Sequence, residues 1–235
     1  MKGRLFLIPS PLGDNEPAEV IPAGVLSMLP SITTYVVEAV RTARRYLSAA
    51  GLKGHVQDLE FHELNEHTTP EEVEALMKLF EDGRDIGLIT EAGLPAVADP
   101  GAQLVRLCHR HGVEVVPMSG PSSLMLALMA SGLNGQSFAF LGYLPAKTEE
   151  RRQALRSIEK HSSTARQTKI FIETPYRNDS LLADILSVCR ADTEVCIAAN
   201  ITMPDAFIRT RTAGEWKKAV PTIGKRPCVF LILGH

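Results

Sequence analysis

Residues 88–123 read LITEAGLPAVADPGAQLVRLCHRHGVEVVPMSGPSS. Asp85 to Thr90 is a short apolar strand that stops at Ala92-Gly93-Leu94-Pro95, and the loop runs on to Asp99-Pro100-Gly101 before helical spacing takes over. Gly93 lets a ligand approach the main chain closely, while Pro95 and Pro100 fix the loop's path and withdraw two N–H donors. Leu104, Val105, Leu107 and Cys108 then share one helix face, with Gly112 as the stop. Val113 to Pro117 is the next strand, and Gly120-Pro121-Ser122-Ser123 leads into a second apolar helix whose first turn offers free N–H groups. Two strand ends with adjacent glycine- and proline-rich loops are how an α/β protein presents backbone to a ligand. They predict a crevice.

Outward from this stretch, strands and helices alternate, which argues for α/β layers over an all-helical or all-strand domain. Arg4 to Ile8 is a strand that runs into the loop Pro9-Ser10-Pro11-Leu12-Gly13-Asp14, and Pro22 to Leu29 reads as a short helix. Thr34 to Val37 is a strand, Arg41 to Ala50 an amphipathic helix ended by Gly51, and Val56 to Phe61 a further strand. Pro70 to Glu81 is a helix capped by Thr68 or Thr69, with Glu71 and Glu72 in its first turn. A first domain is thus expected over residues 1–116 and a second over 117–235. In the second, an apolar helix to Ser131, a strand Phe138 to Leu141 and a turn at Gly142-Tyr143-Leu144-Pro145 come first. A charged helix from Glu149 to His161 follows, then strands at Lys169 to Glu173, Thr193 to Ala199, Ala206 to Thr212 and Cys228 to Leu233. Strand follows strand more often here, so a mixed sheet with helices is expected.

A chain of 235 residues with 45% hydrophobic composition has ample core. Its formal net charge of -2 excludes a global basic field, so RNA would need a local patch. Lys147, Arg151, Arg152, Arg156, Lys160, Arg166 and Lys169 form a basic concentration. Arg152, Arg156 and Lys160 share a helix face that could follow phosphates, but Glu149, Glu150 and Glu159 dilute it and a solvated helix fits as well. Cys108, Cys189, Cys196 and Cys228 are scattered without ligand spacing and read as buried reduced thiols. His109 and His111 sit where a helix end favours cations, and no metal site is expected. Met1-Lys2-Gly3-Arg4 precedes only a short apolar run before Pro9, so neither a signal peptide nor a membrane span is expected, and the cytoplasm is the expected location. A dinucleotide oxidoreductase would need G-x-G-x-x-G after the first strand, where Pro9-Ser10-Pro11-Leu12-Gly13 offers one glycine.

Several ordered motifs carry a resemblance. Leu7 to Gly13 (LIPSPLG), Glu91 to Pro95 (EAGLP) with Asp99-Pro100-Gly101, and Val116 to Ser123 (VPMSGPSS) are similar to the S-adenosylmethionine-dependent tetrapyrrole methylase superfamily. Phe140 to Lys147 (FLGYLPAK) and Glu173 to Arg177 (ETPYR) extend the likeness, which resembles most the ribosomal RNA small subunit methyltransferase I group, enzymes that modify a cytidine 2'-hydroxyl in 16S ribosomal RNA. Two departures stand out: Glu38-Ala39-Val40-Arg41 where the group usually has Glu-Asp-Thr-Arg, and Glu91-Ala92-Gly93-Leu94-Pro95 where it has Asp-Ala-Gly-Thr-Pro.

The resemblance implies two αβα domains of the class III methyltransferase type with a cofactor cleft between them, S-adenosylmethionine as cofactor, and a homodimer. By motif position, the implied cofactor contacts are Leu12, Gly93, Leu94, Pro95, Val97, Ser122 and Ser123 in the first domain. In the second they are Glu173, Ala199, Pro227 and Cys228. Core packing suits the apolar members equally, and helix capping suits Ser122 and Ser123. Methyl transfer from positive sulfur is an in-line displacement in which positioning supplies much of the acceleration and no protein nucleophile is needed. A neutral sugar hydroxyl also needs a proton acceptor. Glu38, Glu63 and Glu66 are the available carboxylates and His62 the imidazole, and Phe61 to His67 (FHELNEH) resembles the family's His-Glu-x-Asn-Glu stretch. The substrate-side candidates are therefore Glu38, Arg41, His62, Asn65 and Glu66, against the plainer reading of a solvated loop with internal capping bonds. Ribosomal RNA is the expected acceptor; a tetrapyrrole or other small acceptor, and a regulatory cofactor-binding relative without activity, are the alternatives.

Overall fold

The computed structural model describes residues 3–235, and the strands among them form two five-stranded sheets. β1 (Arg4–Leu7), β2 (Thr34–Val37), β3 (Glu60–Glu63), β4 (Ile86–Ile89) and β5 (Glu114–Pro117) make the first, in the order β3-β2-β4-β1-β5. Every pairing in it is parallel. β2 and β4 are buried along their whole length, as central parallel strands covered on both faces must be. One face packs Ile8, Leu29, Tyr35, Val37 and Leu47 under the helices of residues 17–28 and Val40–Leu47; the other packs Leu5, Val36, Phe80, Leu88 and Leu104 under those of residues 70–80 and Ala102–Arg110. Because β1 lies between β4 and β5, the loops leaving the C-terminal ends of these three strands are neighbours, the arrangement in which open α/β sheets bind ligands.

The second sheet holds β6 (Phe138–Tyr143), β7 (Thr168–Ile172), β8 (Glu194–Ala199), β9 (Phe207–Thr212) and β10 (Cys228–Leu233) in the order β6-β7-β10-β8-β9. β6 and β7 run parallel and the other pairs antiparallel, the mixed sheet expected from consecutive strands. Helices Thr148–Ala165 and Asn178–Val188 bury Leu155, Leu181 and Ile185 with Phe171, Phe230 and Ile232. The helix Ser123–Ser131 belongs to this sheet, since the Thr210 hydroxyl of β9 donates to the Ser131 carbonyl at 2.7 Å. The chain accordingly divides into two compact units, Met1–Ser122 and Ser123–His235. The segment past residue 116 stays with the first because the Met118 N–H donates to the Leu7 carbonyl.

Several expected elements differ. Val56 to Phe61 is not one strand: residues Val56–Asp58 form a 3-10 turn and pairing begins at Glu60, whose N–H donates to Thr33. The Pro70 helix keeps its α form only to Ala75 and tightens to a 3-10 turn over Leu76–Phe80, though its Thr69–Glu72 capping box is present. The apolar helix begins at Ser123, where the expected loop Gly120-Pro121-Ser122-Ser123 ends. Helix Asn178–Val188 was not expected at all. The basic concentration is partly internal: Arg151 is buried against Asp184, Ala146 O and Ser180, Arg152 also bonds Asp184, and Lys169 is buried against His161 and Gln167. All four cysteines are free and buried, and among the described residues no group of His, Cys, Asp or Glu could hold a metal. No described helix is long and apolar enough to cross a membrane.

Candidate cofactor and acceptor site

Three loops meet at Gly93. An isolated antiparallel bridge ties Ser10 to Gly93, with Ser10 N–H to Gly93 O at 2.9 Å and Gly93 N–H to Ser10 O at 3.1 Å. The Ser10 hydroxyl donates to Thr90 O at 3.1 Å, and Tyr46 OH holds the Pro9 carbonyl at 2.9 Å. Gly93 has φ 79°, and a Cβ there would lie 3.2 Å from Leu12 Cδ2 and 3.6 Å from the Pro121 carbonyl oxygen. The loops after β1, β4 and β5 therefore touch at one point. Gly120 is more constrained, since an added Cβ would come within 2.1 Å of Pro9 Cβ. Between Gly93 and Gly101 (φ 125°), Ala96 and Ala98 also take positive φ, 63° and 64°. Alanine in that region is strained, a cost that recurs at ligand loops. Of the cofactor candidates expected in the first domain, Gly93 and Pro95 are buried, Leu12, Leu94 and Ser122 are half-buried and Val97 is exposed; Ser123, also half-buried, opens the second unit.

Carboxylates gather beside these loops. Glu38 follows β2, with its N–H on Ile89 O; its Oε2 accepts the Glu91 N–H at 2.9 Å, and Glu91 Oε1 accepts the Thr42 hydroxyl at 3.2 Å. Burial raises the Glu38 carboxyl above its ordinary range and Glu91 and Glu66 add to this, against the hydrogen bond from the Glu91 N–H. Burial likewise pushes Asp99 up to about 6, with Glu38 and Glu91 contributing. The structure thus brings Glu38 together with Glu91 and Asp99, the last two not among the substrate-side candidates. A single chain without its pairing order could not show that the loop after β4 lies beside the end of β2.

The other candidates are placed differently. Arg41 is exposed in the first turn of helix Val40–Leu47. His62 Nε2 meets Glu60 Oε1 at 2.9 Å, and Glu60 in turn takes Arg84, so the imidazole points its bond back along β3. Asn65 is bound up in its own turn, accepting the His67 N–H on Oδ1 at 3.0 Å and donating its N–H to Thr68. Glu66 is exposed beside His67. Ala39 is the N-cap of helix Val40–Leu47 and makes no side-chain cap, the local cost of lacking an acidic residue there.

In the second unit, four candidates come together at one sheet end. Cys228 and Ala199 are register partners of β10 and β8, Asn200 N–H donates to Pro227 O at 2.9 Å, and Glu173 follows Ile172, the partner of Val229. The Glu173 side chain is fully buried; its Oε1 accepts Thr174 N–H at 2.7 Å and Arg177 Nη2 at 2.6 Å. Its Oε2 is buried with no hydrogen-bond partner. An acceptor so enclosed calls for a donor from a ligand.

A parallel sheet with three converging loops, followed in the same chain by a mixed sheet that closes on a buried, half-satisfied carboxylate, defines a ligand-binding α/β enzyme of two layered units. The family model of the tetrapyrrole (corrin/porphyrin) methylases matches residues 20–217, and the chain belongs to this family of S-adenosylmethionine-dependent methyltransferases. It is 31% identical to the ribosomal RNA small subunit methyltransferase I of Escherichia coli O157:H7 over 100% of this chain and 79% of that protein. The Vibrio cholerae protein of the same name is 34% identical, covering 98% and 77%. Among solved structures, the methyltransferase CobJ superposes with a TM-score of 0.64 at 17% identity, covering 99% of this chain and 94% of that one. Uroporphyrin-III C-methyltransferase from Thermus thermophilus, complexed with S-adenosyl homocysteine, gives 0.59 at 18%, covering 98% and 97%. Each unit taken by itself fits part of such a cofactor: in the first, backbone-rich loops with apolar Leu12 and Leu94 suit a nucleoside, and in the second, Glu173 Oε2 is an acceptor that suits an ammonium or amino donor.

Proposed function

We propose that this chain transfers the methyl group of S-adenosylmethionine to the 2'-hydroxyl of a cytidine in 16S ribosomal RNA. The observation that carries this reading is the likeness to the ribosomal RNA methyltransferases, which runs through both units rather than through the cofactor motifs alone. Leu12, Gly93, Leu94, Pro95, Val97 and Ser122 hold the cofactor in the first unit, and Ser123, Glu173, Ala199, Pro227 and Cys228 in the second. When bound, S-adenosylmethionine supplies a methyl carbon activated by positive sulfur.

The chain's own part is positioning and proton transfer. Glu38 takes the proton of the acceptor hydroxyl, and its raised pKa makes it a stronger base than an ordinary carboxylate. The Glu91 N–H holds its Oε2 in place, while Arg41 and Glu66 contact the acceptor. His62 and Asn65 act from the edge, His62 through Glu60 and Asn65 through the turn that presents Glu66. We further propose that the protein works in the cytoplasm and as a homodimer, by analogy with the family; light scattering at micromolar concentration reads the second, and a monomeric mass sinks it.

Labelled methyl transfer to 30S subunits, set against a panel of tetrapyrroles, tests the acceptor. Label at a cytidine 2'-oxygen is expected. Label on a tetrapyrrole with none on RNA would overturn the reading.

A further inference from the structure

We propose that helix Val40–Leu47 is the RNA-docking element of this protein, its arginine face holding backbone phosphates so that one nucleotide enters the adjoining cavity. The inference rests on the RNA reading above and names the surface that serves it. The helix reads VRTARRYL: Ala43, Tyr46 and Leu47 are buried against the sheet, whereas Arg41, Arg44 and Arg45 are exposed. Positions i, i+3 and i+4 share one helix face about 5–6 Å apart at Cβ, a short track of positive charge. These arginines are not consumed internally as Arg151 is. Arg45 meets Asp14 only at 3.6 Å with both side chains exposed, a pair that water screens. The Arg44 guanidinium lies over the Phe61 ring at 5.2 Å, a stacking that orders a guanidinium without using up its charge.

The cavity beside the helix has the complementary character. Its volume is about 190 Å³, it lies between the helix and residues 10–17, and its polar lining includes Ser10, Asp14, Thr42, Tyr46 and Glu91. Pockets for drug-sized ligands run to roughly 300–1,000 Å³, so this one suits a single sugar or base and not a macrocycle. Its carboxylates Asp14, Glu16 and Glu91 repel phosphate and accept hydroxyl or amino donors, whereas Arg45, which shares the lining at the helix side, and Arg41 and Arg44 on the same helix face do the reverse. A polyanion is thereby sorted: phosphates stay on the helix face while the nucleoside turns toward Glu91, whose N–H holds Glu38. A tetrapyrrole, with its own carboxylates, gains nothing from such a cavity.

The test uses the full chain with a single-stranded RNA oligonucleotide for binding and 30S subunits for methyl transfer. Each phosphate of a single strand that the protein no longer neutralises lowers the slope of log K against log salt by about 0.7, so the Arg44→Gln, Arg45→Gln double variant is expected to lose about 1.4. Its KM for 30S subunits rises about tenfold or more, while affinity for S-adenosylmethionine stays at the wild-type value. Arg45→Gln alone, expected to lose half as much slope, keeps the test readable where removal of the Phe61 stacking lowers stability. Arg110→Gln, an exposed arginine on another helix, is the control for overall charge. A wild-type slope and KM in the double variant overturn the proposal, as does an equal effect from Arg110→Gln. A wild-type protein that neither binds nor methylates RNA sinks the RNA reading itself and this inference with it.

Discussion

Replacing Asp99 by Asn stabilises this protein at neutral pH and leaves it unchanged in acid. Burial, with Glu38 and Glu91 nearby, moves the carboxyl from its ordinary 3.8 up to about 6. Below pH 3.8 Asp99 is protonated in both folded and unfolded chains, and an amide in its place changes little. As pH rises toward 6 the unfolded chain releases its proton first, so the folded state binds more protons and stability falls with pH. Above about 6 the folded protein carries the full cost of an ionised carboxylate beside two others. The shift sets a ceiling of about 3 kcal/mol at 1.36 kcal/mol per unit, and because the group is only half-buried, solvent screening brings the expected gain to about 1 kcal/mol. For a chain of this size that is about 2–4 °C in Tm. Calorimetry of Asp99→Asn and wild type from pH 4 to 8 reads the difference directly. The gain should open between pH 4 and 6, and it should shrink in a Glu38→Gln background, where one of the repelling charges is gone. A gain of equal size at pH 4 and pH 7.5, or a loss at pH 7.5, refutes the electrostatic account of this cluster.

Asp184→Ala leaves Arg151 buried without its carboxylate and should cost about 3–5 kcal/mol in urea unfolding. Gly120→Ala places a methyl 2.1 Å from Pro9 Cβ, so the loops after β1 and β5 must separate; overpacking of about 1–3 kcal/mol is expected together with weaker S-adenosylmethionine binding by calorimetry. The four thiols should resist Ellman's reagent in the folded protein and react once unfolded, since burial pushes Cys108 up to about 11 and both Cys189 and Cys228 up to about 12.

The layered α/β class and most elements were legible because their signals are local. Alternating apolar strands, the Thr69 cap with Glu72 three residues on, and glycine-proline loops after strands each arise within a few residues of the chain. The errors share a cause as well. Val56 to Phe61 has strand composition, but only pairing with β2 decides where a strand begins, and that starts at Glu60. Helix Asn178–Val188 starts within three residues of Pro175, and its Asn178 amide donates to, and its Asp179 carboxylate accepts from, the remote segment of residues 223–226 in place of a local cap.

What the sequence determined by itself was the set of backbone-rich loops, their order along the chain, and the family whose motifs they carry. What only the tertiary structure decided was which side chains share an environment. The order β3-β2-β4-β1-β5 sets the loop after β4 beside the end of β2, so Glu38 and Glu91 raise the cost of ionising Asp99, and Glu91 that of ionising Glu38, although up to 61 residues separate them. The same folding spends Arg151 and Arg152 on Asp184 while leaving Arg41, Arg44 and Arg45 in water. Charge and burial act through space, and a chain's spacing carries them only where neighbours in sequence are also neighbours in the fold.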